Sequence, residues 1–155
     1  MSEVETEDLR VMAAEIAAAF GTPPLTLRDL FTPGRLFKHL DAARARVLKS
    51  SQYGDCLDYV TDETLLADNT DPEFWSSTSF LVLADPSSDP GSPFEGRCFV
   101  LRGPTTAAGF LQAFHTTIRR RLFDLDELVY ARSPARLLVA THYGTVALFA
   151  PSADG

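Results

Sequence analysis

The chain has 155 residues, is 45% hydrophobic and 23% charged, and carries a net charge of −7 at pH 7. That length fits one domain (1–155) with a sizeable core and no need of disulfides or metal. The acidic balance disfavours duplex nucleic acid and anionic membrane surfaces, which both select basic faces, and no run approaches the roughly 20 apolar residues that span a bilayer.

The N-terminus MSEVETEDLR is acidic where a secretory signal is basic, so a soluble, cytoplasmic protein is expected. In that compartment Cys56 and Cys98 are expected as free thiols. Cys98, within RCFVL, reads as a small buried hydrophobe, and the two cysteines lack zinc-site spacing.

Leu9, Met12, Ala13, Ile16, Ala17 and Phe20 recur at three- and four-residue intervals and predict a first helix. Glu3, Glu5, Glu7 and Asp8 are placed at its start, where the helix dipole favours negative charge, and Gly21-Thr22-Pro23-Pro24 stops it. A short helical turn is expected at Thr26–Phe31. Thr32-Pro33 then opens a second helix with the stripe Leu36, Leu40, Ala43 and Val47, flanked by Phe37 and Leu48 and running to about Lys49. His39 within it reads as solvated.

The middle is less regular. Cys56–Val60 reads as a short strand, Asp62–Ala67 as one helical turn, and Asp68–Pro72 as a loop. Ser79–Ala84 and Arg97–Arg102 predict two strands of one hairpin, with the turn-rich Asp85–Pro93 as its tip. Gly103-Pro104-Thr105 breaks the chain and opens a third helix with the stripe Phe110, Phe114, Ile118 and Leu122. Leu125–Ala131 suits strand or helix. Arg136–His142, the turn Tyr143-Gly144 and Thr145–Ala150 form a second hairpin. The termini, about 1–5 and 151–155, are expected to fray. The order predicts an α+β domain: a mainly antiparallel sheet of two hairpins, two N-terminal helices and one helix between the hairpins, with the helices on one face.

The charges are sorted along this order. From Ser50 to Glu95 there are ten carboxylates and no Lys, Arg or His. From Gly96 to Phe123 there are Arg97, Arg102, Arg119, Arg120, Arg121 and His115, and no carboxylate. Two complementary surfaces are implied, within one subunit or between partners.

No catalytic, cofactor or metal-binding constellation stands out. His115 and His142 become acid/base or ligand candidates only if folding brings them beside a carboxylate such as Asp124, Asp126 or Glu127, because no HxH, HExxH or ExxH spacing joins them. There is no GxSxG elbow, and Ser76–Ser79 reads as a lead-in to a strand. Cys56 sits among Asp55 and Asp58, which oppose a thiolate. Asp68–Glu73 is rich in oxygen ligands but lacks the Gly and distal Glu of a calcium loop. Gly103–Thr106 before a helix is a weak anion signal. Arg120-Arg121-Leu122-Phe123 has the form of a basic–hydrophobic docking motif, yet Leu122 also belongs to the core stripe. Phe74-Trp75, in a polar stretch, suits either an interface anchor or a plug for the end of the sheet.

These features point to a non-enzymatic protein–protein interaction module: an adaptor, an immunity-type inhibitor, or a viral or phage accessory or structural subunit. Its interaction residues would be Phe74, Trp75, Arg119, Arg120 and Arg121, binding another protein or a second copy of the chain in an oligomer. The alternative is a small enzyme or ligand-binding domain around His115 and His142, with Asp124 and Arg102. A weaker alternative is an acidic mimic of nucleic acid. No cofactor is expected.

Overall fold

The computed structural model describes residues 5–52, 62–84, 96–117, 122 and 126–153. They form an α+β fold around one seven-stranded antiparallel sheet. The elements in chain order are β1 (Thr6–Asp8), α1 (Leu9–Phe20), α2 (Leu27–Phe31), α3 (Pro33–Ala42), β2 (Arg46–Gln52), α4 (Asp62–Asp68), α5 (Pro72–Trp75), β3 (Ser79–Ala84), β4 (Arg97–Arg102), α6 (Ala107–Thr117), β5 (Glu127–Arg132), β6 (Ala135–Ala140) and β7 (Thr145–Ala150). Across the sheet the strands run β1-β4-β3-β5-β6-β7-β2.

The expected strand pairs β3–β4 and β6–β7 are present, but the sheet is larger than two hairpins, since β1, β2 and β5 also belong to it, and β6 ends at Ala140 rather than His142. Strand β5 joins the two pairs into one sheet, pairing Leu81 with Tyr130 on one side and Leu138 with Val129 on the other. The expected hairpin tip, 85–95, and the expected short strand at Cys56–Val60 fall outside the described residues.

Helices cover both faces of the sheet rather than one. On the first face Phe80, Val82, Phe99, Leu101, Val129, Leu138, Val146 and Leu148 pack with Leu65, Leu66, Phe74, Phe110 and Phe114 of α4, α5 and α6. On the second, Leu81, Leu83, Cys98, Val100, Leu128, Leu137, Val139 and Phe149 pack with Leu9, Met12, Ile16, Leu30, Leu36 and Leu40 of α1, α2 and α3. The strand sequences FLVLA, CFVL, LLVA and VALFA are apolar without interruption. A sheet wetted on one side alternates apolar with polar residues, whereas a sheet buried on both sides does not.

The chain crosses the sheet in each direction. Helices α1–α3 carry it over the second face from edge strand β1 to the opposite edge strand β2, and α4–α5 return it over the first face to central β3.

Two N-terminal expectations are corrected. Of the acids placed at the start of the first helix, Asp8 caps it, accepting from Arg10 N–H at 2.8 Å, while Thr6–Asp8 form β1 against β4. The second helix stops at Ala42, not Lys49. Arg44 adopts a left-handed φ of 59°, and Ala45 N–H donates to Leu40 O at 3.0 Å, closing the helix. Val47 is then a strand residue opposite Phe149, and Ser50 and Ser51 continue the ladder. Pro33 does occupy the first turn, but Thr32 makes no side-chain cap. Gly21 ends α1 at a φ of 74°, as its position implies.

Candidate functional site

The acidic middle folds into a short helical layer on the first face. Its linker is tied down by its own polar groups. Asn69 Nδ2 donates to Leu65 O at 2.9 Å, Thr70 Oγ1 donates to Leu66 O at 2.7 Å, and Ser51 Oγ donates to Asn69 Oδ1 at 3.0 Å. Asp71 caps α5, accepting from Phe74 N–H at 2.9 Å through Oδ1, while Oδ2 accepts from Arg136 Nε at 3.1 Å. Within the stretch that suggests a calcium loop, the side-chain oxygens of Asn69, Thr70 and Asp71 are therefore engaged with protein partners, while the carboxylates of Asp68 and Glu73 are exposed. Among the described residues no group of three or more His, Cys, Asp or Glu side chains could hold a metal ion.

Phe74 and Trp75 plug the sheet. Phe74 is fully enclosed, its ring 4.7 Å from Trp75 and 5.1 Å from Phe80. Trp75 is half-buried, lies 6.1 Å from Phe110, and donates Nε1–H to Thr70 Oγ1 at 2.9 Å. An aromatic ring with no exposed area cannot anchor a partner, so the surface reading of Phe74 is corrected to a core role. What this layer presents to solvent is charge. Glu63, Asp68 and Glu73 are exposed, and α4, α5 and α6 carry no Lys or Arg over their described lengths.

The basic segment is divided. Arg102 forms a two-pronged bond to Glu5, with both N···O distances at 2.8 Å, and Arg97 Nε donates to Thr6 Oγ1 at 3.0 Å. Both arginines thus fasten β1, and the Arg102 guanidinium holds the Glu5 carboxyl below its usual range. Arg102 is committed to this bond rather than to a histidine site. Arg119, Arg120 and Arg121 lie outside the described residues, as does Asp124. Leu122 is buried in the core, which takes it out of any docking motif.

The histidines have separate settings. His115 is exposed on α6 with its ring 5.9 Å from Phe114. His39 is not merely solvated, for its Nε2 lies 3.4 Å from Asp29 Oδ1. Asp29 is buried, caps α2 through Thr26, and accepts from Arg35 Nε at 3.0 Å. The Thr26 backbone N–H, foremost among these partners, brings its pKa to about 2. At the β6–β7 turn, Asp126 Oδ1 accepts from His142 N–H at 2.8 Å and faces His142 Nδ1 at 2.9 Å. Glu127 next to it is buried. The Asp126–His142 pair was discoverable from strand register: Glu127 opposite Ala140 sets the residues just outside β5 and β6 at the same end of the sheet.

No family model, curated protein or solved structure matches this chain.

Proposed function

We propose that the chain is a non-enzymatic protein interaction module whose acidic helical layer meets a basic surface on another protein or on a second copy of itself. The observation that carries this reading is the exposure of Glu63, Asp68 and Glu73 on a layer whose described helices hold no Lys or Arg. Surface charge of one sign steers a partner of the other sign and sets register more than it adds affinity. In a self-associating version Arg119, Arg120 and Arg121, which follow Thr117 in the sequence, supply the basic surface, giving head-to-tail contacts. The part of half-buried Trp75 that reaches solvent supplies an apolar component beside Glu73.

The test is capture of the full chain's partner at low and high salt, repeated with the triple variant E63K/D68K/E73K. A stoichiometric partner, or an oligomer, that is lost at high salt and weakened at least about tenfold by the variant is expected. Binding indifferent to both changes overturns the reading.

The Asp126–His142 pair supports a second reading, a small ligand-binding site. A carboxylate on Nδ1 fixes the tautomer and leaves Nε2 as an acceptor, the arrangement used by bases and ligands. The open position of the pair on a turn, 47% exposed at His142, ranks it second. A ligand whose affinity survives H142A removes it.

A further inference from the structure

The two edges of the sheet are unequal. Strand β1 is three residues long, and Glu5, Arg97 and Arg102 clasp it. Strand β2 is seven residues long, and among the described residues no strand lies on its outer side. Arg46, Val47, Lys49, Ser50 and Gln52 are all exposed. Only three large hydrophobic residues are exposed among the described residues, and Val47, at 57%, is one of them. Tyr143, at 79%, is another, and it sits in the turn next to Thr145, whose Oγ1 accepts from Gln52 Nε2 at 3.3 Å. Among the described residues this backbone edge is uncovered and carries the exposed apolar side chain of Val47, whereas the Tyr143 ring stacks on His142 at 3.9 Å between centroids. From Ala42 to Gln52 there are three cations, Arg44, Arg46 and Lys49, and no carboxylate.

From these features we infer that β2 accepts an extended acidic peptide as an eighth strand, a surface separate from the acidic layer of α4 and α5. An antiparallel edge strand directs about half of its N–H and C=O groups outward, and an added strand satisfies them while its alternate side chains choose the partner. Charge decides between a second copy and a foreign segment. Two β2 strands in full antiparallel overlap are centred on Lys49, which sets Lys49 against Lys49, and like charges directly opposite are destabilising. Basic side chains on an edge guard it against copies of itself. The same side chains face the carboxylates of an acidic strand favourably, with Val47 receiving an apolar residue of it.

The experiment is selection of a displayed random-peptide library on the full chain, followed by amide hydrogen exchange with the selected peptides. A pool enriched in Asp and Glu alternating with Val, Ile or Thr is expected, slowing exchange across Arg46–Gln52. Remaking a selected peptide with N-methyl groups on alternate residues abolishes binding in one of the two phases. R46E/K49E weakens binding at least about tenfold, while E63K/D68K/E73K leaves it unchanged, which separates this site from the acidic layer. A pool without acidic enrichment, failure to recover any binder, protection that maps elsewhere, or a dimer of the chain protected at β2 overturns the inference.

Discussion

Asp71 and Arg136 join the helical layer to the sheet: Arg136 Nε lies 3.1 Å from Asp71 Oδ2, and the two side chains are only 13% and 17% exposed. The other oxygen of the same carboxylate caps α5 at Phe74. A carboxylate from the acidic middle is thus used within the subunit, by an arginine far along the chain. Glu5 with Arg102 and Glu15 with Arg132 are likewise paired across the chain, with carboxylates from the N-terminal segment.

Removing Asp71 therefore costs two interactions. D71A loses a cap, commonly about 1 kcal/mol, and leaves Arg136 largely buried without its acceptor. A loss of about 2–4 kcal/mol is expected from denaturant unfolding. D71N keeps the cap oxygen and loses less. R136A in a double-mutant cycle with D71A should show coupling above about 0.5 kcal/mol. Additive effects would mean that the pair is not formed in solution.

Phe74 and the exposed acids make opposite predictions. F74A empties a site enclosed by Trp75 and Phe80, so a loss of about 3–5 kcal/mol is expected in a chemical melt. E63K, only one residue into the same layer's exposed face, should shift stability by less than about 0.5 kcal/mol. Equal effects of the two changes would contradict the enclosure of Phe74.

Asp29 gives the fold an acid limit. Its folded pKa, about 2, lies below the ordinary 3.8, so it contributes stability that is full above pH 4 and is lost as the pH falls toward 2. Unfolding midpoints of the wild type should fall steeply through that window. D29A should be less stable at neutral pH, by about 1–2 kcal/mol for the lost bonds of its buried carboxylate to Thr26 N–H and Arg35, and its profile should be flatter between pH 4 and 2. Parallel profiles for the two proteins would show that Asp29 is not held by Thr26 and Arg35 as described.

The elements that were legible in the sequence are those whose signals are local. Ser79–Ala84, Arg97–Arg102 and Thr145–Ala150 have the bounds that their apolar runs imply, and Gly21 ends α1 where it stands. The stop at Ala42 was hidden because Arg44, not glycine, takes the left-handed position. Val47 also continues a helical stripe by spacing alone, and only the open side of β7 draws it into a strand. That is a long-range cause, invisible to periodicity. The two-sided burial was written in the unbroken apolar strands and was not read from them. The Asp126–His142 pair needed the β5–β6 register, and the composition of each residue's neighbourhood carried no sign of it.

Cys98 offers a test of the two-sided sheet by chemistry rather than stability. It lies fully buried between the sheet and the helices of the second face, and that burial pushes its thiol up to about 11. The thiolate is the reactive form, so both access and ionisation suppress attack. In a C56S background the folded chain should react negligibly with a thiol-specific disulfide reagent at pH 8, and one thiol should titrate promptly after denaturation. Between those limits the rate should follow the fraction of open chain, rising with denaturant ahead of the global transition only if α1 leaves the sheet first. Prompt labelling of the native protein would mean that no helix covers Cys98, and the second face would then be open as in a one-sided sheet.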